Sequence, residues 1–268
     1  MNAGWDCHAH LFGPYDRYPL AAGRSYTPEE ARTEQYLELL NGLGLANGVL
    51  VHPSAYGEDH RLLLDILAGF PMLRGVVVVR QEASKALRGL HGKGVRAVRF
   101  SHRSGSGANF SGSASFDDLR RLAGTLADEG LHAELWTDCA SLPAIAAQLV
   151  LLPVPVVLDH MGGFDVAAGV DDPGFRCLLE LLATGRVWVK LCVYRNVPGM
   201  TDLEAGRPFH DQLVQANPYR MLWGSDWPHL RVTPRPDAAL LLHRFKDWVD
   251  NAGTMERILV HNPALLYG

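Results

Sequence analysis

The residues best suited to chemistry lie near the two ends of the chain. His8 and His10 are two positions apart in the segment Asp6–His10, and Asp226 lies in the segment Trp223–His229. On a β-strand this spacing points both imidazoles to the same face. If the first and last strands of a closed barrel are neighbours, the imidazoles and the carboxylate converge. We therefore expect a site for proton transfer that is assembled from both ends of the chain.

Eight short apolar segments predict the strands that would position these groups. Most are rich in valine, isoleucine and leucine without polar alternation, which is typical of parallel strands buried on both faces. The predicted strands are Trp5–Ala9, Gly48–His52, Gly75–Arg80, Val95–Phe100, Leu131–Trp136, Val154–His160, Val187–Cys192 and Arg220–Trp223. Helical patterns separate these segments, so the sequence predicts an α/β fold.

Local capping signals mark two of the predicted helices. The segment Thr27–Glu30 has the pattern of a capping box with proline at the first helical position, and predicts a helix from there to about Leu43. Ser115, followed by two aspartates, predicts a second helix that runs through Asp128.

The connections between these elements are asymmetric. Glycines end several helices directly before the next strand, whereas the connections after strands are long, as in residues 101–114, 161–172 and 193–207. Elaborated loops at one end of eight strand–helix units are typical of a (β/α)8 barrel of about 250 residues. The alternative is a doubly wound open sheet, but no glycine-rich phosphate-binding pattern follows the first strand. We predict a TIM-like (β/α)8 barrel forming a single domain over residues 1–268.

The composition argues against several classes of partner. The formal net charge of −4 predicts no basic surface for nucleic acid. The longest apolar segment, residues 149–158, is interrupted by Pro153 and Pro155 and is too short to span a bilayer. The four cysteines lack CxxC spacing, which indicates reduced thiols and a cytoplasmic location. We therefore expect a small-molecule partner, with no nucleic acid and no membrane.

Polar residues are concentrated where the predicted strands end, which is where the active sites of such barrels lie. They include His8, His10, His52, Ser54, Tyr56, Arg99, Arg103, Trp136, His160, Tyr194, Arg195 and Asp226. We interpret Asp159 and His229 as residues that hold loops by hydrogen bonds. Lys190 and Glu134 lie within predicted strands, where each charge requires a partner that the sequence does not identify.

These motifs resemble those of the amidohydrolase superfamily, which has His-x-His on the first strand, a histidine after a middle strand and an aspartate on the last. The finer similarity is to the 2-pyrone-4,6-dicarboxylate lactonase group, and it extends from Asp6 to the last residue. It rests on Asp6–His10, Phe12–Pro14, Arg24–Pro28, Val51–Ser54, Val98–Phe100, Asp159–Gly162, Val187–Leu191, Trp223–His229 and Asn262–Gly268.

The resemblance implies a hydrolase of cyclic esters. Typical members of the superfamily bind one or two divalent metals, whereas the pyrone lactonase group is understood to work without metal. The seventh predicted strand has Lys190, Leu191 and Cys192 where a second metal-binding histidine would be sought, so we expect no cofactor. The alternative is one zinc ion, because three nitrogen ligands and a carboxylate suit zinc. Its ligands would be His8, His10, His160 and Asp226.

The resemblance also implies roles for the residues of the site. Asp226 is expected to act as the general base that takes a proton from water. Three histidines are expected to polarise the lactone carbonyl: His8, His10 and His160. A small carboxylated lactone would be held by Tyr26, Ser54, Tyr56, Arg99, Arg103, Trp136 and Arg195. Trp136 stands where the lactonase group has tyrosine, and His52 where glutamine is common, which bears on the substrate more than on the reaction.

Three other functions are weighed against this hypothesis. A zinc-dependent lactonase acting on sugar-acid or muconolactone-type rings would use the same side chains. A metal-dependent decarboxylase of the same superfamily is disfavoured by the missing second histidine on the seventh strand. A non-catalytic carboxylate-binding barrel would need the arginines but not an aspartate beside three histidines, and a turnover assay would distinguish it.

Overall fold

Eight parallel strands form the centre of the molecule and are hydrogen-bonded in sequence order, each to the next. The computed structural model describes residues 3–104, 112–197 and 202–268. The strands are β1 Trp5–Ala9, β2 Asn47–Val51, β3 Leu73–Val77, β4 Val95–His102, β5 His132–Thr137, β6 Val156–Leu158, β7 Val187–Leu191 and β8 Met221–Trp223. The predicted (β/α)8 barrel is therefore confirmed, with strand ends displaced by a few residues from the predicted ones.

Helices connect the strands, and each longer helix buries one apolar face. The α-helices are α1 Thr33–Leu43, α2 Arg61–Gly69, α3 Phe116–Asp128, α4 Leu142–Leu149, α5 Pro173–Ala183, α6 Arg207–Ala216, α7 Ala238–Trp248, α8 Ala252–Glu256 and α9 Asn262–Tyr267. A single π-turn, Arg257–His261, joins α8 to α9, and the connection after β3 is a 3₁₀ segment, Gln81–Leu87. In the described ranges, no helix is both long and apolar enough to cross a membrane.

The helix predicted from Ser115 is confirmed, whereas the start predicted for the other helix, at Pro28, is five residues too early. The Ser115 hydroxyl accepts from the backbone N–H of Asp118, which completes the capping box. In the other segment, the Glu30 carboxylate instead accepts from the N–H of Tyr15 at 2.9 Å, and the Tyr15 hydroxyl donates to the carbonyl of Pro28. These contacts tie residues 28–31 to the loop after β1, so α1 begins at Thr33.

The barrel closes between β1 and the segment that follows β8. The N–H of Asp226 donates to the carbonyl of His8, and the N–H of His10 donates to the carbonyl of Trp227, both at 2.8 Å. Gly224 permits this approach, because a Cβ atom there would lie only 2.8 Å from the Cβ of His8. Both ends of the chain thus meet at one seam, as the motifs predicted.

Below the site, the barrel interior is filled by apolar side chains and by one tyrosine from α9. This interior cluster consists of Trp5, Cys7, Val49, Val51, Val76, Ala97, Val157, Trp188, Leu222 and Tyr267. The Tyr267 hydroxyl donates to Oε1 of Glu134 at 2.7 Å, so the last helix contacts a charged group inside the barrel. The interior of the barrel is therefore a packed core. The polar groups described next lie above this core, at the carboxyl ends of the strands.

Candidate active site

A cavity of about 640 Å³ lies over the carboxyl ends of the strands. Its walls bring together nine of the eleven residues predicted for the site: His10, Tyr26, Ser54, Arg99, Arg103, Trp136, His160, Arg195 and Asp226. His8 is completely buried and lies directly beneath this wall, against His10. Tyr56 is not brought to the wall, because its buried hydroxyl accepts from the N–H of Gly13 at 2.7 Å. Tyr56 therefore holds the loop after β1 in place and does not line the cavity.

Asp226 is buried at the centre of the site and offers one oxygen to it. Oδ2 accepts from the Tyr194 hydroxyl at 2.6 Å and from Nε of Arg195 at 2.5 Å. Oδ1 has no hydrogen-bond partner among the described residues, and it lies 3.4 Å from Nε2 of His10. Burial opposes ionisation, but Arg195 and the neighbouring histidines outweigh it and hold the pKa of Asp226 well below its usual value. The group is therefore a carboxylate with one oxygen available to accept a proton.

His8 in β1 and His10 directly after it turn into the barrel at an irregularity of the strand. The pairing of β1 with β2 shifts by one residue between Asp6 and Ala9, and such bulges re-aim side chains. Asp6 faces outward and accepts from the hydroxyl of Tyr36, whereas His8 and His10 face inward with their Nε2 atoms 3.3 Å apart.

The hydrogen bond of His10 identifies its tautomer. Nδ1 of His10 lies 2.8 Å from the carbonyl oxygen of Val51, which can only accept, so Nδ1 carries a proton. In the neutral ring, Nε2 of His10 is consequently an acceptor directed at His8 and Asp226.

His160 also lines the cavity, with its ring centre 4.8 Å from that of His8. Burial, only partly offset by Asp226 and Asp159, lowers the pKa of His160 to about 4, so the ring is neutral at pH 7. Its Nδ1 is buried and has no hydrogen-bond partner in the described part of the chain. Because the ring also lines the cavity, a neutral imidazole here is suited to bind a substrate oxygen.

Backbone strain is concentrated at the same place. Five non-glycine residues of the described ranges adopt left-handed backbone angles, and they follow β6 or β8: His160, Met161, Asp226, His229 and Arg231. Such conformations cost on the order of 1–3 kcal/mol each and cluster at functional sites. The backbone N–H of His229 closes the turn onto the Asp226 carbonyl at 2.9 Å, so this histidine helps to hold the loop through its main chain.

A buried network of charges lies under the histidines, and the sequence analysis did not identify it. Nζ of Lys190 lies 2.6 Å from Oε2 of Glu134, 3.4 Å from Oδ1 of Asp159 and 3.2 Å from Nδ1 of His8. Oδ2 of Asp159 accepts from Nε of Arg99 at 2.8 Å. The four ionic side chains thus balance in charge. The interpretation of Asp159 as a loop-holding residue is wrong, because its side chain contacts this network.

Guanidinium groups surround the mouth of the cavity. Arg103 lies over the ring of Trp136 at 4.4 Å, with its Nε 3.7 Å from Oδ2 of Asp138. Arg231, which the sequence analysis did not select, also lines the cavity and has no hydrogen bond or ion pair within the described ranges. Together with Arg99 and Arg195 these residues make a site for anions, since Asp165 and Asp226 are the only carboxylates among the described residues of the walls.

Comparison with known proteins identifies the family. The amidohydrolase family model matches residues 5–268. The chain belongs to the amidohydrolase family. This amidohydrolase is 34% identical to the 2-pyrone-4,6-dicarboxylate hydrolase of Comamonas testosteroni, over 98% of this chain and 89% of that protein. It is 32% identical to the 4-sulfomuconolactone hydrolase of Hydrogenophaga intermedia, over 98% and 88% of the two chains.

A solved structure has the same architecture. The putative 2-pyrone-4,6-dicarboxylic acid hydrolase from Pseudomonas putida matches this amidohydrolase with a TM-score of 0.85 and 30% identity, over 100% of this chain and 98% of that one. The resemblance found in the sequence is therefore confirmed at the level of family and fold.

The geometry of this amidohydrolase could accommodate a metal ion. The Nε2 atoms of His8 and His10 and Oδ1 of Asp226 lie 3.3, 3.4 and 3.7 Å from one another. Tetrahedral ligands around zinc, at about 2.0–2.2 Å from the ion, would be separated by about 3.4 Å. These three residues could thus hold one divalent ion, which would polarise a carbonyl or a water molecule.

Proposed function

We propose that this protein hydrolyses a small lactone bearing one or more anionic groups. The observation that carries the proposal is the available Oδ1 of Asp226, which lies beside two histidines in a cavity rimmed by guanidinium groups. The relatives at 32–34% identity are lactone hydrolases of carboxylated or sulfonated rings by name, which supports the same reaction class.

The first step is activation of water. A water molecule placed between Oδ1 of Asp226 and the lactone carbonyl transfers a proton to the carboxylate as its oxygen attacks the carbonyl carbon. Positioned bases contribute on the order of 10²–10⁴-fold to such reactions. Tyr194 and Arg195 hold Oδ2, so Oδ1 is the carboxylate oxygen left to accept the proton.

The second step is stabilisation of the oxyanion that forms on the carbonyl. His160 lines the cavity and is placed to donate a hydrogen bond to it, whereas His8 lies beneath the wall and acts through its contact with His10. His10 donates through Nε2 only as an imidazolium, because its Nδ1 proton is committed to the Val51 carbonyl. Its nearness to Asp226 allows it to share the proton taken from water. Donors of this kind are worth about 3–4 kcal/mol of barrier each.

The third step breaks the bond between the carbonyl carbon and the ring oxygen. Protonated Asp226 returns its proton to that oxygen, so one water molecule is added overall. The products are a carboxylic acid, which releases its proton to solvent and becomes a carboxylate, and an enol or alcohol within the same molecule. Asp226 ends as a carboxylate, ready for another cycle.

Recognition is assigned to the rim of the cavity. Arg99, Arg103 and Arg195 are proposed to bind the anionic groups of the substrate, because guanidinium groups engage carboxylates through paired hydrogen bonds. The face of Trp136 is proposed to pack against a flat ring beside Arg103. Tyr26 and Ser54, which also line the wall, supply neutral hydrogen bonds.

We also propose that this hydrolysis needs no metal cofactor, with the histidines acting in place of a Lewis acid. The zinc-dependent lactonase is the second candidate, and the ligand spacing at His8, His10 and Asp226 is the observation that favours it. Both candidates predict the same ring opening, so they differ in the response to chelation.

The test is a panel of lactones. It includes 2-pyrone-4,6-dicarboxylate, 4-sulfomuconolactone, a sugar-acid lactone and a neutral ester of each acid, with ring opening followed by absorbance or proton release. We expect turnover of at least one anionic lactone and none by Asp226→Asn within the detection limit of the panel. Binding of the anions without any turnover would favour the carboxylate-binding barrel.

A further inference from the structure

The ammonium group of Lys190 lies on the concealed side of His8. Both side chains are fully buried, and Nζ of Lys190 is 3.2 Å from Nδ1 of His8 in hydrogen-bonding geometry. An ammonium group has three donors and no lone pair. Nδ1 of His8 must therefore accept in this contact, which leaves the ring proton of the neutral imidazole on Nε2.

Among the described residues, the carboxylate of Asp159 also lies close to Nδ1 of His8. Oδ1 of Asp159 lies 3.3 Å from Nδ1, yet it has no hydrogen-bond partner among the described residues. Asp159 instead uses Oδ2 to accept from Arg99. The side chain that could stabilise a proton on Nδ1 is thus not aligned to receive it.

The proton positions then form a directed series through the site. Lys190 donates to Nδ1 of His8, Nε2–H of His8 is directed at Nε2 of His10, and Nδ1–H of His10 is directed at the carbonyl of Val51. The tautomer found for His10 provides the acceptor that this arrangement of His8 requires. The two assignments rest on different partners and agree.

We infer that Lys190 holds the proton of His8 on Nε2 and thereby keeps a divalent metal out of the cradle formed by His8, His10 and Asp226. A metal needs the lone pair of Nε2, so the proton would have to move to Nδ1 and face the ammonium group. Histidines that bind metals usually donate their second N–H to a carboxylate or a carbonyl. Here an ammonium group makes the hydrogen bond to Nδ1 of His8, and the neighbouring Oδ1 of Asp159 makes none among the described residues.

The rest of the network keeps Lys190 charged. Nζ of Lys190 lies 2.6 Å from Oε2 of Glu134 and 3.4 Å from Oδ1 of Asp159, so two carboxylates surround the ammonium group. Glu134 is held in turn by the Tyr267 hydroxyl. Lys190 is therefore a positioning residue, which acts on the reaction through His8, and this inference rests on the proposed function for its catalytic meaning.

The first test measures the proton directly in the unmodified protein. Nitrogen-15 NMR of histidine-labelled protein, with the His8 signals identified from their absence in His8→Asn, should show a protonated Nε2 and an unprotonated Nδ1. A protonated Nδ1 on His8 would overturn the inference. This measurement does not depend on the folding of a Lys190 variant.

The second test measures zinc affinity by calorimetry and by metal content after dialysis. Lys190→Met leaves Glu134 unpaired, so the variant to use is Lys190→Met with Glu134→Gln, checked for folding by circular dichroism. We expect it to bind one equivalent of zinc at least about tenfold more tightly than the wild type. The matched control, Lys93→Met on the exposed surface, should bind zinc as the wild type does.

Equal zinc affinity of the wild type and the folded double variant would contradict the inference. Neither readout involves turnover, so a failure here leaves the lactonase proposal standing. Conversely, an absence of lactone hydrolysis would leave the assignment of the His8 proton unaffected.

Discussion

Nε of Arg195 lies 2.5 Å from Oδ2 of Asp226, so the guanidinium group expected to bind the substrate also holds the proposed base. Nη1 of the same side chain donates to the carbonyl of Leu230 at 2.9 Å. Nη2 has no hydrogen bond among the described residues and is the part of the guanidinium available to an anion. An anion bound there would compete with Asp226 for positive charge and make the carboxylate a stronger base.

Replacing the base should abolish most of the activity. Asp226→Asn keeps the size and polarity of the side chain but removes the proton acceptor, so kcat should fall by at least about 10². The dissociation constant of the substrate should not rise, because the arginines are retained and Arg195 no longer shares its charge with a carboxylate. Steady-state kinetics on folded protein provides the measurement. Near-normal kcat would mean that another group activates the water.

Arg195 should be sensitive even to a conservative change. Arg195→Lys retains the charge but loses the paired geometry, and Arg195→Ala loses both, so kcat/KM should fall in that order. Loss of a charge-assisted hydrogen bond costs about 1.5–3 kcal/mol, or roughly ten- to more than a hundredfold. A neutral ester of the substrate should lose a comparable amount on the wild type and much less on Arg195→Ala. Equal hydrolysis of acid and ester by the wild type would remove the basis for the anion site.

The pH profile should separate the two roles of Arg195. Arg195 lowers the pKa of Asp226, so its removal should raise that pKa and move the acid limb of kcat/KM to higher pH. A residue that only binds substrate would lower kcat/KM without moving the limb. The measurement is the kcat/KM profile of Arg195→Ala beside that of the wild type, and unchanged limbs would argue against the coupling.

Arg231 should contribute to the affinity for anionic substrates. Arg231→Gln removes an exposed guanidinium at the cavity wall, for which we expect a two- to fivefold rise in KM, about 0.4–1 kcal/mol. Raising the salt concentration should reduce the difference. Arg235→Gln is the matched control, because Arg235 is exposed nearby and pairs with Glu29. Equal effects of the two substitutions would show that only net charge matters.

Chelation should leave the reaction intact. If the proton of His8 is held on Nε2, dialysis against a strong chelator should change kcat by less than about twofold. The measurement combines turnover with elemental analysis of the same sample. Stoichiometric zinc, together with loss of activity on chelation and recovery on adding zinc, would move the assignment to the zinc-dependent lactonases.

Stability should fall as the pH is lowered from 7.5 to 5.5. Burial, aided by nearby positive groups, lowers the pKa of His52 and of His132 to about 3, and burial lowers that of His160 to about 4. The unfolded chain binds protons near pH 6.5 and the folded protein does not, so protons favour unfolding below that pH. Each such histidine contributes up to about 1.4 kcal/mol per pH unit. Urea unfolding across this range measures the slope.

A single substitution can test that assignment. His132 lies in β5 next to Tyr267, away from the cavity, so His132→Gln should reduce the pH dependence without affecting turnover. The slope should decrease by about 1.4 kcal/mol per pH unit at the acidic end of the range. An unchanged slope would indicate that His132 is protonated in the folded protein.

Much of the fold follows from local patterns. The apolar segments and the glycines before them predict eight parallel strands, because a strand buried on both faces requires no alternation. The start of α1 was not predictable in the same way. The Glu30 carboxylate caps a loop rather than a helix, and this choice depends on Tyr15, which only the folded chain brings close.

The charged network under the site shows the limit of reading one strand at a time. Glu134 and Lys190 each looked like an unpaired charge, although they pair with each other at 2.6 Å. They lie on β5 and β7, and alternate strands of a barrel contribute to the same interior layer. The placement of Glu134 and Lys190 on alternate strands could therefore have predicted this ion pair from the sequence. No comparable pattern predicts the contact of Arg195 with Asp226, because that contact depends on how two loops fold over one another.

The seam between β1 and β8 bears on how the enzyme acquires its activity. Ser225 donates to the carboxylate of Asp6 through its N–H at 2.8 Å and its hydroxyl at 2.6 Å, across 219 positions of sequence. Contacts of such separation carry a large entropy of loop closure and are slow to form. A folding intermediate with seven strands in place would possess the histidine pair but no base. During refolding, recovery of turnover should therefore lag behind recovery of the circular dichroism signal of the helices. The delay would measure when β8 joins β1 and the barrel closes.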